Sequence, residues 1–321
     1  MKSIYESNEI PTYSDISRAH TRIKPYIHRT PVLHSSTINQ MTGCNLFFKC
    51  ENFQKVGSFK ARGALNAVLI LHPSQIQKGI ATHSSGNHAQ ALAYAGKLVG
   101  AKTTIIMPSN APKPKVDAVR SYGAEIIFCE PNQKAREETL LAFIEKTNAL
   151  FIHPYDNFNV IAGQGTCAKE FLEENLKLDY ILVPIGGGGL CSGTLIATKA
   201  LSTVTRVIGV EPEGANDAYS SIRDNRIYPS IEPKTIADGL LTSLSQRTFT
   251  IIKNNIDEIV TVSDDSIVFA MKMIFERMKI VVEPSGAVPL AGVFQHPEIF
   301  TGKNIGIIIS GGNADISNLP F

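Results

Sequence analysis

Apolar positions along this chain keep two periods, and the two alternate. From residue 79 onward "GIATHS" reads as a short strand, and "NHAQALAYAGKLVG" as a helix closed by Gly100. "KTTIIMP" predicts a strand, "PKVDAVRSYG" a helix closed by Gly123, and "AEIIFCE" another strand. The amphipathic "AREETLLAFIEKTN" predicts a helix and "ALFIHP" a strand. After residue 154 the alternation resumes with strand "DYILVPI", helix "LCSGTLIATKAL" and strand "RVIGVEP". Strand "EIVTV", helix "DDSIVFAMKMIFERM" and the apolar strand "NIGIIIS" follow. Ahead of this region lie a helix in "SDISRAHTRIKPYI", extended "RTPVLHS", a short strand in "NLFFKCE", and helical "ARGALNAVLILH" ending before Pro73. Strands alternating with helices of this length indicate parallel, doubly wound sheets. The economical reading is α/β with two lobes and a cleft between them. Residues 1–81 and 154–321 form the larger lobe, and residues 82–153 a smaller inserted one.

Length and composition narrow the class. The 321 residues are 43% hydrophobic and 19% charged, as in an ordinary soluble globular protein. A formal net charge of +2 gives no electrostatic reason to expect nucleic acid or an acidic membrane surface as partner. No segment has the roughly 20 consecutive apolar residues that span a bilayer. "MKSIYESNEIP" lacks the apolar run of a secretion signal. The cysteines 44, 50, 129, 167 and 191 are odd in number and include no CxxC pair, which suggests reduced thiols and a cytoplasmic location.

Several stretches carry candidate chemistry. In "VGSFKARGA" Lys60 stands at the mouth of an apolar helix, as a surface charge or as a reactive amine. "PIGGGGL" places Gly186, Gly187, Gly188 and Gly189 between a strand and a helix, where backbone N–H groups can approach an anion. The run has neither dinucleotide nor P-loop spacing. A tight turn needs only one or two glycines, so four favour a cup around one phosphate. "SSGNH", Ser84 to His88, fits a carboxylate site at a helix start, although an ordinary helix cap explains it equally simply. "ISGGN" offers the Ser310 hydroxyl or just another glycine turn. His28, His34 and His83 show no metal-like spacing, and Lys113 to Lys115 reads as a solvated helix start.

A lysine, a phosphate cup, a carboxylate site and a hydroxyl together make a set that can hold pyridoxal phosphate. With "RIKPYIHRTP", "KCENFQKVGSFKARGA", "SSGNHAQALAYA", "IAGQGT", "VPIGGGGL", "TIADGL", "ERMKIVVEPSGA" and "SGGN" in this order, the chain resembles the fold-type II pyridoxal-phosphate enzymes. The resemblance is to the serine racemase and serine/threonine dehydratase branch. It implies a tryptophan synthase β-like fold, each lobe a twisted, mostly parallel sheet flanked by helices. Lys60 matches the Schiff-base lysine and Phe59 the residue against the cofactor ring. Asn87 would bond the pyridine hydroxyl, Gly186 to Gly189 with the Leu190 backbone would hold the phosphate, and Ser310 would face the ring nitrogen.

The same resemblance assigns the substrate carboxylate to Ser84, Ser85, Asn87 and His88. It gives Ser85 a second role, moving a proton on the face opposite Lys60. A racemase needs one acid/base group on each face. Many threonine dehydratases have alanine at this place, so Ser85 favours racemase capacity. Arg136 matches an arginine reaching the substrate pocket from the small lobe, although its glutamate neighbours fit a surface ion pair equally well. Asp238 and Glu283 would lie nearby. "VEPEGANDAY" resembles a divalent-cation site in which Glu211, Asp217 and the Ala215 carbonyl hold Mg²⁺, or Ca²⁺ or Mn²⁺. Without that resemblance, two carboxylates six apart read as a solvated loop.

Two positions depart from the pattern. Tyr155 stands where mammalian-type racemases carry asparagine and several dehydratases phenylalanine, and Thr242 stands where those racemases have serine. With "SGGNADISNLPF" at the end of the sequence, feedback inhibition by isoleucine through a C-terminal regulatory domain is not expected. The expectation is a cytoplasmic homodimeric serine racemase that also dehydrates serine and threonine to 2-oxo acid and ammonia, with a nucleotide as candidate effector. The alternative is a dehydratase dedicated to L-threonine, L-serine or 3-hydroxyaspartate. A cofactor-retaining sensor and a β-replacing synthase are more distant readings.

Overall fold

The computed structural model describes residues 9–321; residues 1–8, the first part of the segment read as lacking a secretion signal, lie outside it. Helix α1 (Tyr13–Ile23) carries a Thr12/Asp15 capping box and stops just before Pro25, where the chain tightens into a short turn. Strand β1 (Val32–Leu33), helix α2 (Ser36–Thr42) and strand β2 (Asn45–Cys50) follow, and then α3 (Lys60–Leu69) and α4 (Pro73–Ile76). The smaller sheet uses β3 (Ile80–His83), β4 (Thr103–Pro108), β5 (Glu125–Cys129) and β6 (Leu150–Phe151), interleaved with α5 (Asn87–Val99), α6 (Lys113–Ser121) and α7 (Gln133–Thr147). Gly100 closes α5 with φ +69°, a conformation that suits glycine because no Cβ clashes with the carbonyl.

The chain then runs through α8 (Phe158–Leu172), β7 (Tyr180–Pro184), α9 (Gly189–Leu201), β8 (Arg206–Pro212), α10 (Asp217–Arg223) and α11 (Gln246–Asn255). Strand β9 (Glu258–Val262), α12 (Asp264–Met273), α13 (Pro284–Gln295), α14 (Pro297–Phe300) and β10 (Asn304–Ile309) complete it. The larger sheet has the order β1-β2-β10-β7-β8-β9, parallel except for the β1/β2 pair; the smaller has the all-parallel order β5-β4-β3-β6. The smaller sheet opens at Ile80, two residues ahead of the expected start of the inserted lobe. A π-helical turn, Ile274–Met278, extends α12 and ends at Lys279 in the left-handed region.

Seven helices have no counterpart in the sequence reading: the short α2, α4, α10 and α14, and the longer α8, α11 and α13. Helix α8 is buried on nearly every side, from Val160 to Phe171, so no polar stripe marks it, while Gly163 and Gly165 weaken its apparent helical propensity. Helix α13 contains Pro289 in its interior. Among the described residues, no helix is long and apolar enough to cross a membrane. All five cysteines are free thiols.

Candidate active site

Parallel sheets present loops at the carboxyl ends of their strands, and the candidate residues gather there. Lys60 opens α3. The preceding residues are tied to the last strand: the Phe59 N–H donates to the Ser310 carbonyl at 3.0 Å, and Ser58 bridges to Gly311. Lys60 as a whole is only half-buried, but its amine lies deep, donating to the Pro154 carbonyl at 2.9 Å and standing 5.2 Å from the Phe59 ring centroid. Burial pushes the amine down to about 8, with the charge of Glu283 pulling the other way.

The second contributor is the turn after β3. Ser84 Oγ accepts from the Gly86 N–H at 3.3 Å, and Ser85 is half-buried beside it. Asn87 starts α5, and its amide nitrogen donates to both oxygens of Glu283, at 2.8 and 3.1 Å. Asn313 in turn donates to the Asn87 carbonyl oxygen at 2.8 Å, so both ends of that amide are fixed. Burial raises the Glu283 carboxyl to about 7, although the Asn87 bond lowers it. Glu283, expected nearby without an assigned role, therefore aims Asn87 and sits within electrostatic reach of Lys60.

Third comes the glycine run between β7 and α9. Gly188 has φ +83°, and a Cβ on it would run into Leu244, Ile252 and Thr248. A Cβ on Gly187 would clash with the Tyr155 ring at 2.4 Å, and one on Gly186 would come within 3.0 Å of the Leu240 Cα. The loop is thus lined by backbone at the start of a thirteen-residue helix, a setting whose free N–H groups suit a phosphate. Leu190 and Ser310 are buried beside these elements. The donor set fits pyridoxal phosphate: a deep amine for its aldehyde, a side-chain-free cradle at a helix start for its phosphate, and an oriented amide.

Other expected residues sit differently from their simplest reading. The His88 ring is buried and bonded through Nε2 to the Ile152 carbonyl at 3.0 Å, and burial lowers it to about 3. It is neutral, so only the His88 backbone remains to meet a carboxylate. His83 packs against Phe151 and His153, and burial lowers both histidines. Arg136 forms no ion pair among the described residues; it is half-buried, with Nε buried and lacking a hydrogen-bond partner, and its charge reaches His83. Lys113 does begin a helix, but Lys115 is not simply solvated: it pairs across the cleft with Asp238.

Glu211, Ala215 and Asp217 come together at the end of β8. Glu211 accepts from the N–H groups of Ala218 at 3.2 Å and Tyr219 at 2.7 Å. Burial raises it well above the carboxylate range, and the neighbouring Asp217 adds to the shift. Burial takes Asp217 to about 6; its Oδ2 is sealed in without a well-formed hydrogen bond, the Ser230 hydroxyl offsetting only part of that burial. Two buried carboxylates that repel one another form a donor set suited to a hard cation. Among the described residues, no group of three or more His, Cys, Asp or Glu side chains gathers to hold a metal.

The chain is 52% identical over 312 residues to the β-hydroxyaspartate dehydratase of Paracoccus denitrificans, covering 97% of this chain and 99% of that protein. It is 47% identical over 308 residues to the L-threo-3-hydroxyaspartate ammonia-lyase of Saccharomyces cerevisiae, covering 96% and 94% respectively. The crystal structure of serine racemase from Dictyostelium discoideum superposes with a TM-score of 0.90 at 48% identity, covering 95% of this chain and 99% of that one. Residues 23–311 match the family model described as pyridoxal-phosphate dependent enzyme. With the deep lysine, the glycine cradle and the two parallel-sheet lobes, the chain belongs to the pyridoxal-phosphate-dependent enzymes of fold type II.

Proposed function

We propose that this protein is a serine racemase that interconverts L- and D-serine and also dehydrates serine and threonine to 2-oxo acid and ammonia. The observation that carries the reading is the deep Lys60 amine, held near 8, on a helix packed against α5, the helix that the Ser84–Asn87 turn leads into. The cofactor, when bound, withdraws electrons from Cα and so makes an α-proton removable. Lys60 takes or returns that proton on one face, and the Ser85 hydroxyl does so on the other. Ser84, Asn87 and the free N–H groups at the start of α5 bind the substrate carboxylate. When the substrate carries a β-hydroxyl, loss of the α-proton and of water leaves an enamine. Water then converts the enamine to 2-oxo acid and ammonia.

The same proposal has Glu211, Asp217 and the Ala215 carbonyl hold Mg²⁺, or another hard divalent cation, with water completing the coordination. It includes the division into a cofactor lobe and a smaller inserted substrate lobe, a homodimer, a nucleotide effector and a cytoplasmic location.

A second reading, a dehydratase dedicated to 3-hydroxyaspartate, is favoured by Arg136. Its half-buried guanidinium, with an unpartnered Nε, is suited to a second carboxylate. Two relatives named for 3-hydroxyaspartate support it. Product analysis with L-serine, D-serine, L-threonine and 3-hydroxyaspartate separates the two. D-serine formed from L-serine supports the first; turnover of 3-hydroxyaspartate with no D-serine from L-serine overturns it in favour of the second.

A further inference from the structure

The two candidate anchors for one rigid cofactor sit at the starts of two different helices, Lys60 on α3 and the glycine cradle on α9. Both helices are packed against α8, the helix that contains "IAGQGT", and both crossings are made at glycines. On one side a Cβ on Gly163 would stand 2.6 Å from both the Arg62 carbonyl oxygen and the Gly63 Cα. The Gly63 N–H also donates to Gln164 Oε1 at 3.1 Å. On the other side a Cβ on Gly193 of α9 would strike the Gly165 N of α8, and one on Gly165 would meet the Gly193 carbonyl at 2.8 Å. At Gly163 and at the Gly165/Gly193 pair backbone meets backbone, with the Gln164 side chain packed over Gly63 beside the first contact, so backbone sets the closest spacing.

An ion network fastens the first crossing. Arg62, two residues beyond Lys60, gives Nε and Nη2 to Glu51 at 2.7 and 2.8 Å. It gives Nη1 and Nη2 to Glu170 of α8 at 2.9 and 2.7 Å, and Nη1 to Thr166 of α8 at 3.2 Å. Lys49 at the end of β2 closes the set, donating to Glu170 and to the Thr30 carbonyl, each at 2.9 Å. Two cations and two carboxylates balance in charge, and all four are buried. A planar guanidinium gripping two carboxylates resists both rotation and translation.

We propose that α8 is the spacer that sets the distance between the Lys60 amine and the glycine cradle, with Arg62 as the positioning residue that holds α3 to it. This rests on the reading of Lys60 and Gly186–Gly189 as the covalent and phosphate anchors. A ligand held at both ends gains from the second anchor only when the anchors are spaced to match it. Widening one crossing therefore weakens a two-ended ligand while sparing ligands that use one end.

The test uses the full-length protein stripped of cofactor and three probes. Pyridoxal phosphate uses both anchors, pyridoxal only the lysine, and pyridoxine phosphate only the cradle. Gly163→Ala, which must spread α3 from α8, is expected to weaken pyridoxal phosphate by about 10–100-fold while changing each one-ended probe by less than about 3-fold. Thr166→Val removes one Arg62 hydrogen bond and the hydroxyl's own bond to the Gly163 carbonyl without unpairing a charge, and is expected to weaken pyridoxal phosphate by about 3-fold with both one-ended probes unchanged. It decides the matter if Gly163→Ala does not fold. Equal loss of all three probes, or undiminished pyridoxal phosphate binding in a folded variant, overturns the spacer. Wild-type protein that binds the one-ended probes but gains nothing from joining them also overturns it. Wild-type protein that binds none of the three overturns the anchor assignment itself, and the spacer with it.

Discussion

Lys60 and Arg62 stand two residues apart on one helical turn, and their charges meet opposite treatment. Arg62 receives two carboxylates and a hydroxyl, which hold its cation far into the charged range against a large desolvation cost. Lys60 receives one carbonyl and the distant charge of Glu283, and burial takes it down to about 8. Successive helical positions two apart face different sides, so one turn serves both a closed structural network and the amine proposed as the reactive group. A cation whose partners are all supplied belongs to the scaffold; one left short of partners is available for chemistry.

Replacing both residues by the same apolar side chain breaks this pair apart most sharply. Lys60→Met is expected to cut turnover by about 10⁴-fold or more, since it removes both covalent anchor and base. In cofactor-free protein it should nevertheless raise stability at pH 7 by about 1–3 kcal/mol, because the folded state no longer carries a poorly solvated amine. The sign follows from a folded value below the unfolded 10.5: the amine's cost is full below pH about 8 and fades as pH rises toward 10.5. Denaturant unfolding at pH 7 and pH 10 checks both parts, and destabilisation by Lys60→Met at pH 7 contradicts them. Arg62→Met should do the reverse, lowering stability by about 3–5 kcal/mol by leaving Glu51 and Glu170 unpaired with it. A shift in urea midpoint with unchanged slope measures this loss, and a near-neutral result would show that the network is not needed for folding.

Glu211 and Asp217 extend the contrast to anions left short of partners. Added Mg²⁺ should raise the melting temperature at pH 8 by roughly 5 °C. That gain should fall away as pH drops through about 6, where Asp217 takes up a proton that competes with the cation. Calorimetry at the two pH values with and without chelator decides. The smallest effect concerns Glu283. Its negative charge favours the protonated lysine, so Glu283→Gln should lower the midpoint for Lys60 labelling by less than about one unit in cofactor-free protein above pH 7. A rise in that midpoint would show that Glu283 acts on Lys60 only by shaping the loop.

Alternating strands and helices were legible because half-buried elements write their period into the chain; Ile80–His83 through Gln133–Thr147 follow the reading closely. Helix α8 was not, since a helix covered all round has no polar face. The fused π turn after Met273 is equally silent, because its side chains still suit a helix. In the site, the four glycines stood out through local spacing, whereas "VGSFKARGA" by itself left Lys60 as a surface charge or a reactive amine. Partners brought together only by folding were not legible. Glu283 meets Asn87 across 196 residues, and Glu170 meets Arg62 across 108. The partner of the His88 ring was equally illegible, since it is the Ile152 carbonyl, 64 residues away.

Lys115 and Asp238 join a helix of the smaller sheet to the turn beside the glycine cradle, and both are partly exposed. An ion pair in contact with water contributes about 0–1 kcal/mol and weakens as salt shortens the Debye length from about 10 Å at 0.1 M to about 3 Å at 1 M. The lobes are thus clasped at this point by something the surrounding electrolyte can loosen without disturbing either core. Substrate entry and product escape then acquire an ionic-strength dependence that the chemistry at Lys60 does not share. A plot of turnover against salt would separate passage through the cleft from events at its floor.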